Sequence, residues 1–170
     1  MPHLLVVDHE PGMQYTLEKC FRSSALQVST CGTVHDALRM VRQLTPDVMI
    51  MDVCLPDVSG LEVYDSIRAE LPRLPVILVT AFATTDTAIE AMKRGAFDYL
   101  IKPVDMDRLR GAVSPALEVT ELNRLDGHPL NGDGLLGTEP DDTMIGQSQA
   151  MQEVYKSIGR VALQDVSVLI

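Results

Sequence analysis

Val48 to Met51 is an unbroken apolar run that ends in a single carboxylate, Asp52. A run with no polar alternation is apolar on both faces. Such a strand belongs in the middle of a parallel sheet that is covered on both sides. The turn residues Pro56, Asp57, Ser59 and Gly60 follow, and then Leu61, Tyr64, Ile67 and Leu71 recur at helical spacing. Strand, turn and helix in that order place Asp52 in the crevice beyond the strand's carboxyl end, where open α/β sheets keep their ligands. An ionised Asp there is suited to be a nucleophile or a metal ligand. The plainer alternative is an aspartate that caps a turn, and this stretch alone leaves both readings open.

The same pattern recurs along the chain. His3 to Val7 reads as a buried strand that ends in Asp8-His9-Glu10, with Pro11 placed for the first turn of a helix carrying Met13, Leu17, Cys20 and Phe21 inward. Leu26 to Cys31 is a short strand. Thr33 is placed to cap a helix with Val34, Ala37, Leu38, Val41 and Leu44 on one face, which Thr45-Pro46 ends. Pro75 to Val79 is the fourth strand, ending at Thr80-Ala81. The helix after it turns Ala88, Ile89 and Met92 inward and stops at Gly95, which suits the position just past a helix end. Asp98 to Ile101 is the fifth strand, ending at Lys102-Pro103. Asp105 then caps a helix with Met106, Leu109, Val113 and Leu117 inward, and Pro115 is expected to kink or interrupt it. Five strands alternating with five helices predict a parallel sheet with helices on both faces.

Composition divides the chain of 170 residues into three parts. Residues 1–122 carry the alternating pattern. Residues 123–142 are rich in Gly, Pro and Asp without apolar periodicity, and read as a flexible acidic linker. Residues 143–170 regain order, with a helix expected at about 149–161 and an apolar run from Val166 to Ile170. That run reaches the last residue with nothing to pair against, so a truncated piece of a further domain is expected. Neither a membrane-spanning run nor a signal peptide is expected, and Cys20, Cys31 and Cys54 lack metal-ligand spacing. They read as buried or half-buried thiols in a reducing, cytoplasmic setting. A net charge of −10 repels phosphate backbones, which argues against direct nucleic-acid binding by this piece.

The strand ends gather the chemistry. In a doubly wound sheet of order 2-1-3-4-5, Asp8, His9 and Glu10, then Asp52, Thr80 and Lys102, all open onto one crevice. Carboxylates beside a hydroxyl and an ammonium are the parts needed to hold a divalent cation and an aspartyl phosphate.

Four motifs carry a resemblance: Leu5-Val6-Val7-Asp8, Met51-Asp52-Val53-Cys54-Leu55-Pro56-Asp57, Val79-Thr80-Ala81 and Tyr99-Leu100-Ile101-Lys102-Pro103. In that order, over roughly residues 3 to 120, the chain resembles response-regulator receiver domains. The resemblance implies a flavodoxin-like (CheY-like) α/β fold of order 2-1-3-4-5. It implies Asp52 as phosphoacceptor, Asp8, Asp52 and the Cys54 backbone carbonyl around Mg2+, and Thr80 and Lys102 as phosphoryl contacts. It also implies Tyr99 as a switch residue acting with Thr80, and a cis Lys102-Pro103 bond. Residues Ala81 to Tyr99 look like receivers of the NtrC class, which activate sigma-54-dependent transcription. Ile145-Gly146 and Met151 to Val161 are similar to the start of the AAA+ domain of those activators. A sensor histidine kinase is the implied partner, with a homodimer through receiver helices. RNA polymerase with sigma-54 would be met only through the missing domain. No membrane partner and no enzyme activity of its own are expected, since no phosphate-binding Gly-rich loop is present.

The departure is at position 9, where the family's second metal-site acid is replaced by His9. Mg2+ prefers hard oxygen ligands, so a weak metal site is expected. Glu10 is adjacent, but chain position does not fix the direction of its side chain. The alternative function is therefore a phosphorylation-independent pseudo-receiver that serves as an interaction or dimerisation module. A haloacid-dehalogenase-like phosphatase fits less well, because position 54 is Cys where that family places a second Asp. A flavodoxin fits less well because Asp8-His9-Glu10-Pro11 is acidic where a phosphate loop would stand.

Overall fold

Strands and helices alternate strictly along the described chain: β1 (His3–Val7), α1 (Pro11–Phe21), β2 (Gln27–Cys31), α2 (Val34–Leu44), β3 (Val48–Asp52), α3 (Gly60–Glu70), β4 (Val76–Thr80), α4 (Thr85–Lys93), β5 (Asp98–Ile101) and α5 (Met106–Asp126). The computed structural model describes residues 1–56, 59–81 and 85–126. Asp57, the remainder of the expected linker and the tail at 143–170, with its expected helix and strand, lie outside the described residues.

The sheet has the order β2-β1-β3-β4-β5, all parallel. Every residue of β1, β3 and β4 is buried, as their unbroken apolar runs require. Successive side chains point to opposite faces, so each strand feeds two cores. Leu5, Val7, Met49, Met51, Leu78 and Tyr99 meet α2, α3 and α4 through residues such as Val41, Ile67 and Met92. Leu4, Val6, Ile50, Ile77, Val79 and Leu100 meet α1 and α5 through Leu17, Phe21, Leu109 and Val113. Two faces covered this way bury the central strands β1, β3 and β4 along their length.

Local signals act where the residues suggested. Pro11 stands in the first turn of α1. The Thr33 hydroxyl accepts the Asp36 N–H at 3.1 Å, and Asp105 Oδ1 accepts the N–H groups of Asp107 and Arg108 at 2.9 and 3.0 Å. Gly95 has φ +89°, the left-handed region that ends a helix. Its N–H bonds to Met92 O, and the Ala96 N–H to Ala91 O, which is the paired closure of a Schellman end.

Two expectations are corrected. Of the kink or interruption expected at Pro115, the interruption does not occur: helix α5 runs through it to Asp126, past 122 into the stretch expected as linker. The carbonyl that Pro115 deprives of its partner belongs to Gly111, which is exposed with open space around it, so water can satisfy that group. In α4 the inward residues are Ala88, Ala91 and Met92, while Ile89 is only half-buried. Tyr99, on an edge strand, is 1% exposed because α4 covers it.

Candidate functional site

At the carboxyl edge of the sheet, β1 and β3 deliver Asp8 and Asp52, each at most 3% exposed. Backbone donors fix one oxygen of each. Asp8 Oδ1 accepts the Glu10 N–H at 2.8 Å, and Asp52 Oδ1 accepts the Cys54 N–H at 2.8 Å. Both are carboxylates that bond to the backbone two residues on, which pins the side chain and leaves the second oxygen facing the crevice.

Lys102, just past β5, fills part of that crevice. Its Nζ lies 2.9 Å from Asp8 Oδ2, from Glu10 Oε1 and from Asp52 Oδ2. Burial works against the charged ammonium. The bonds to Asp8, Asp52 and Glu10 outweigh it and hold Lys102 above the ordinary lysine range. The Lys102-Pro103 bond is cis, and the Lys102 N–H donates to Thr80 O at 2.7 Å. The end of β5 is thereby tied to the end of β4.

His9 turns inward. Its Nδ1 stands 3.3 Å from Asp52 Oδ2 and 4.0 Å from Asp8 Oδ1, with the ring 40% exposed. Asp8, His9, Glu10 and Asp52 bring their donor atoms within 4.8 Å of one another. Glu10 is the residue sequence reasoning left undecided; its charge and its place one residue beyond His9 were the only signals. As hosts for a divalent cation, the three carboxylates offer hard oxygens and fit Mg2+. His9 is the discordant donor in an otherwise suitable set.

Thr80, at the end of β4, is fully buried, and its Oγ1 lies 3.3 Å from Cys54 Sγ. Tyr99 stands behind, with its hydroxyl 3.1 Å from Thr87 Oγ1 on α4. Burial pushes the Tyr99 phenol above its ordinary range, although the bond to Thr87 opposes this. The crevice thus joins Asp8, His9, Glu10, Asp52 and Lys102 directly. Thr80 and Cys54 form a second pair, and Tyr99 connects to α4.

Asp52 is held against its neighbours by a contact the sequence does not announce. Gly60, the first residue of α3, donates its N–H to Val53 O at 2.9 Å. A Cβ there would stand 2.5 Å from Val53 Cα and 2.8 Å from Asp52 O. Only glycine lets α3 start so close to the residue that carries the site.

Comparison with known proteins agrees with this geometry. The family described as response regulator receiver domain matches residues 4–114. The DNA-binding transcriptional regulator NtrC of Proteus hauseri is 36% identical over 165 residues, 97% of this chain and 34% of that protein. The transcriptional regulatory protein ZraR of Salmonella typhimurium is 36% identical over 167 residues, 98% of this chain and 36% of that protein. Among solved structures, a response regulator receiver domain protein from Clostridium thermocellum superposes with a TM-score of 0.67 at 31% identity, covering 72% of this chain and 98% of that one. The chain spans about a third of the length of the curated relatives it matches.

Proposed function

The chain belongs to the response-regulator receiver family, and from that premise we propose that it is the phosphoacceptor receiver of an NtrC-class regulator, phosphorylated on Asp52 by a sensor histidine kinase. The observation that carries this reading is Asp52 itself. It is a carboxylate 1% exposed at the end of a central strand, with an ammonium 2.9 Å from the oxygen that faces the crevice.

In this reading a crevice oxygen of Asp52 attacks the phosphorus of a phosphohistidine. The P–N bond breaks, the imidazole leaves with the electron pair, and an acyl phosphate remains on Asp52. Lys102 then donates to a phosphoryl oxygen, having been positioned beforehand by Asp8 and Glu10. The Thr80 hydroxyl donates to another oxygen and gives up its contact with Cys54 as it does so. Asp8, Asp52 and the Cys54 carbonyl would hold a divalent cation, which supplies neutralisation of the phosphoryl charge when bound. Movement of Thr80 would loosen the packing of Tyr99 and so its bond to Thr87, which carries the signal to α4.

With α5 running to Asp126, the same reading assigns residues 1–126 to the receiver, the rest of the stretch to 142 to a linker and 143–170 to the start of an AAA+ domain that meets sigma-54 polymerase. The similarity of nearly the whole chain to NtrC and ZraR supports that division. A homodimer through receiver helices and a cytoplasmic location follow from the same family reading. Among the described residues no helix is long and apolar enough to cross a membrane.

His9 beside Asp52 favours one second reading, a receiver that works as an interaction module without phosphorylation. Intact mass after incubation with a small phosphodonor and a divalent cation separates the two. One phosphoryl group on the wild type and none on Asp52→Asn is expected. No phosphorylation of the wild type under any cation selects the second reading.

A further inference from the structure

We infer that the His9 imidazole is a direct ligand of the cation site, and that it turns the preference of the site from Mg2+ toward first-row transition ions such as Mn2+ and, more strongly, Co2+. This rests on the reading of Asp8 and Asp52 as cation ligands.

Distance is the first argument. Ligands about 2.1 Å from one ion stand about 3.0 Å apart when adjacent in an octahedron, about 3.4 Å apart in a tetrahedron and about 4.2 Å apart when opposite. His9 Nδ1 is 3.3 Å from Asp52 Oδ2 and 4.0 Å from Asp8 Oδ1. The separation from Asp52 Oδ2, which faces the crevice, falls within what a single ion spans, and the donor atoms of Asp8, His9, Glu10 and Asp52 all lie within 4.8 Å of one another. The two carboxylates are rigid, buried and pinned by the Glu10 and Cys54 N–H groups. The imidazole is 40% exposed and free to adjust its ring to an ion. Two fixed oxygens and one adaptable nitrogen make a workable half-shell, with water completing it.

Charge is the second argument, and it is independent of the first. Asp8, Glu10 and Asp52 converge on Lys102 Nζ, so these oxygens already point at one positive centre. Three carboxylates against one ammonium leave two negative charges, which matches a divalent ion. His9 adds a donor to this hollow without adding charge.

Ligand chemistry then selects the ion. Mg2+ holds its waters and favours oxygen, whereas an imidazole nitrogen strengthens binding of the first-row divalent ions in the order Mn2+ below Co2+. As a ligand, Nδ1 must carry its lone pair, which puts the ring proton on Nε2. Replacing His9 by a carboxylate would return the site to an all-oxygen set.

Calorimetric titration of the chelator-treated 170-residue chain with Mg2+, Mn2+ and Co2+ tests this, beside His9→Asp and Asp52→Asn. The ratio of Mn2+ to Mg2+ affinity is expected to be about ten-fold larger for the wild type than for His9→Asp. Electron spin echo spectra of the Mn2+-loaded wild type should show coupling to an imidazole nitrogen that His9→Asp lacks. Equal ratios, or no nitrogen coupling while Mn2+ still binds, would overturn the role of His9 and leave the cation site standing. Absence of binding by any ion, or binding that Asp52→Asn leaves unchanged, would overturn the cation site and the inference together.

Discussion

Lys102 shows how much of the site is electrostatic before any cation arrives. Its ammonium is the shared partner of Asp8, Glu10 and Asp52, two of them buried. Removing one partner of a buried ion pair typically costs about 3–5 kcal/mol, because the remaining charge stays buried and uncompensated. Lys102→Met is therefore expected to lose about 3 kcal/mol in chelator at neutral pH, at the low end because Glu10 is exposed. A divalent cation should restore part of the loss by taking the place of the ammonium. Urea denaturation with and without cation measures both. An undiminished midpoint in chelator would show that Lys102 does not balance these charges. His3 is a second residue with a legible consequence. It is buried at the start of β1, with Nε2 2.8 Å from Ser29 Oγ. Desolvation lowers its pKa, although Asp47 opposes this. A lowered folded value gives stability that is complete above the ordinary histidine range and is lost as pH falls below it. His3→Gln should therefore show a smaller drop in urea midpoint between about pH 7.5 and about pH 5.5 than the wild type. An equal drop in both proteins would place the acid sensitivity elsewhere.

The elements explain what was legible and what was not. Runs such as Val48 to Met51 announce their burial in either direction along the chain, because every side chain is apolar. Caps and stops at Thr33, Gly95 and Asp105 are legible too, since each acts on backbone within a few residues. Directions of side chains in loops are not, and that is why Glu10 and His9 needed the structure. The burial of Tyr99 on an edge strand is not legible either, because it depends on α4 packing over it. Whether Pro115 interrupts its helix is not legible, because the partner of the freed carbonyl depends on which side of α5 faces water. The start of α3 hides a close approach behind an ordinary turn residue. Gly60→Ala would press a methyl against Val53 Cα and Asp52 O, backbone atoms that cannot turn aside. Overpacking of this kind costs about 1–3 kcal/mol, and here the displaced backbone also carries Asp52. Lower urea stability and slower phosphorylation are expected together. Wild-type values for both would mean that α3 shifts freely, contrary to the tight Gly60–Val53 contact.

Across the whole molecule, the two cores do one job for the crevice. They fix four parallel strand ends, those of β1, β3, β4 and β5, so that residues far apart in sequence meet with little freedom. Asp47 anchors the opposite end. Its Oδ2 accepts the His3 N–H at 2.7 Å, its carbonyl accepts Thr120 Oγ1 at 2.7 Å, and Arg124 lies 2.5 Å from its Oδ1. The amino end of the sheet is thereby tied to the last turns of α5. An acyl phosphate on Asp52 can be located by treating the phosphodonor-reacted chain with borohydride, which reduces an aspartyl phosphate to homoserine, and finding that residue by peptide mass. Homoserine at position 52 alone, absent from protein never exposed to phosphodonor, is the expected result. Homoserine at another aspartate, or none from a chain that has gained phosphoryl mass, would contradict it.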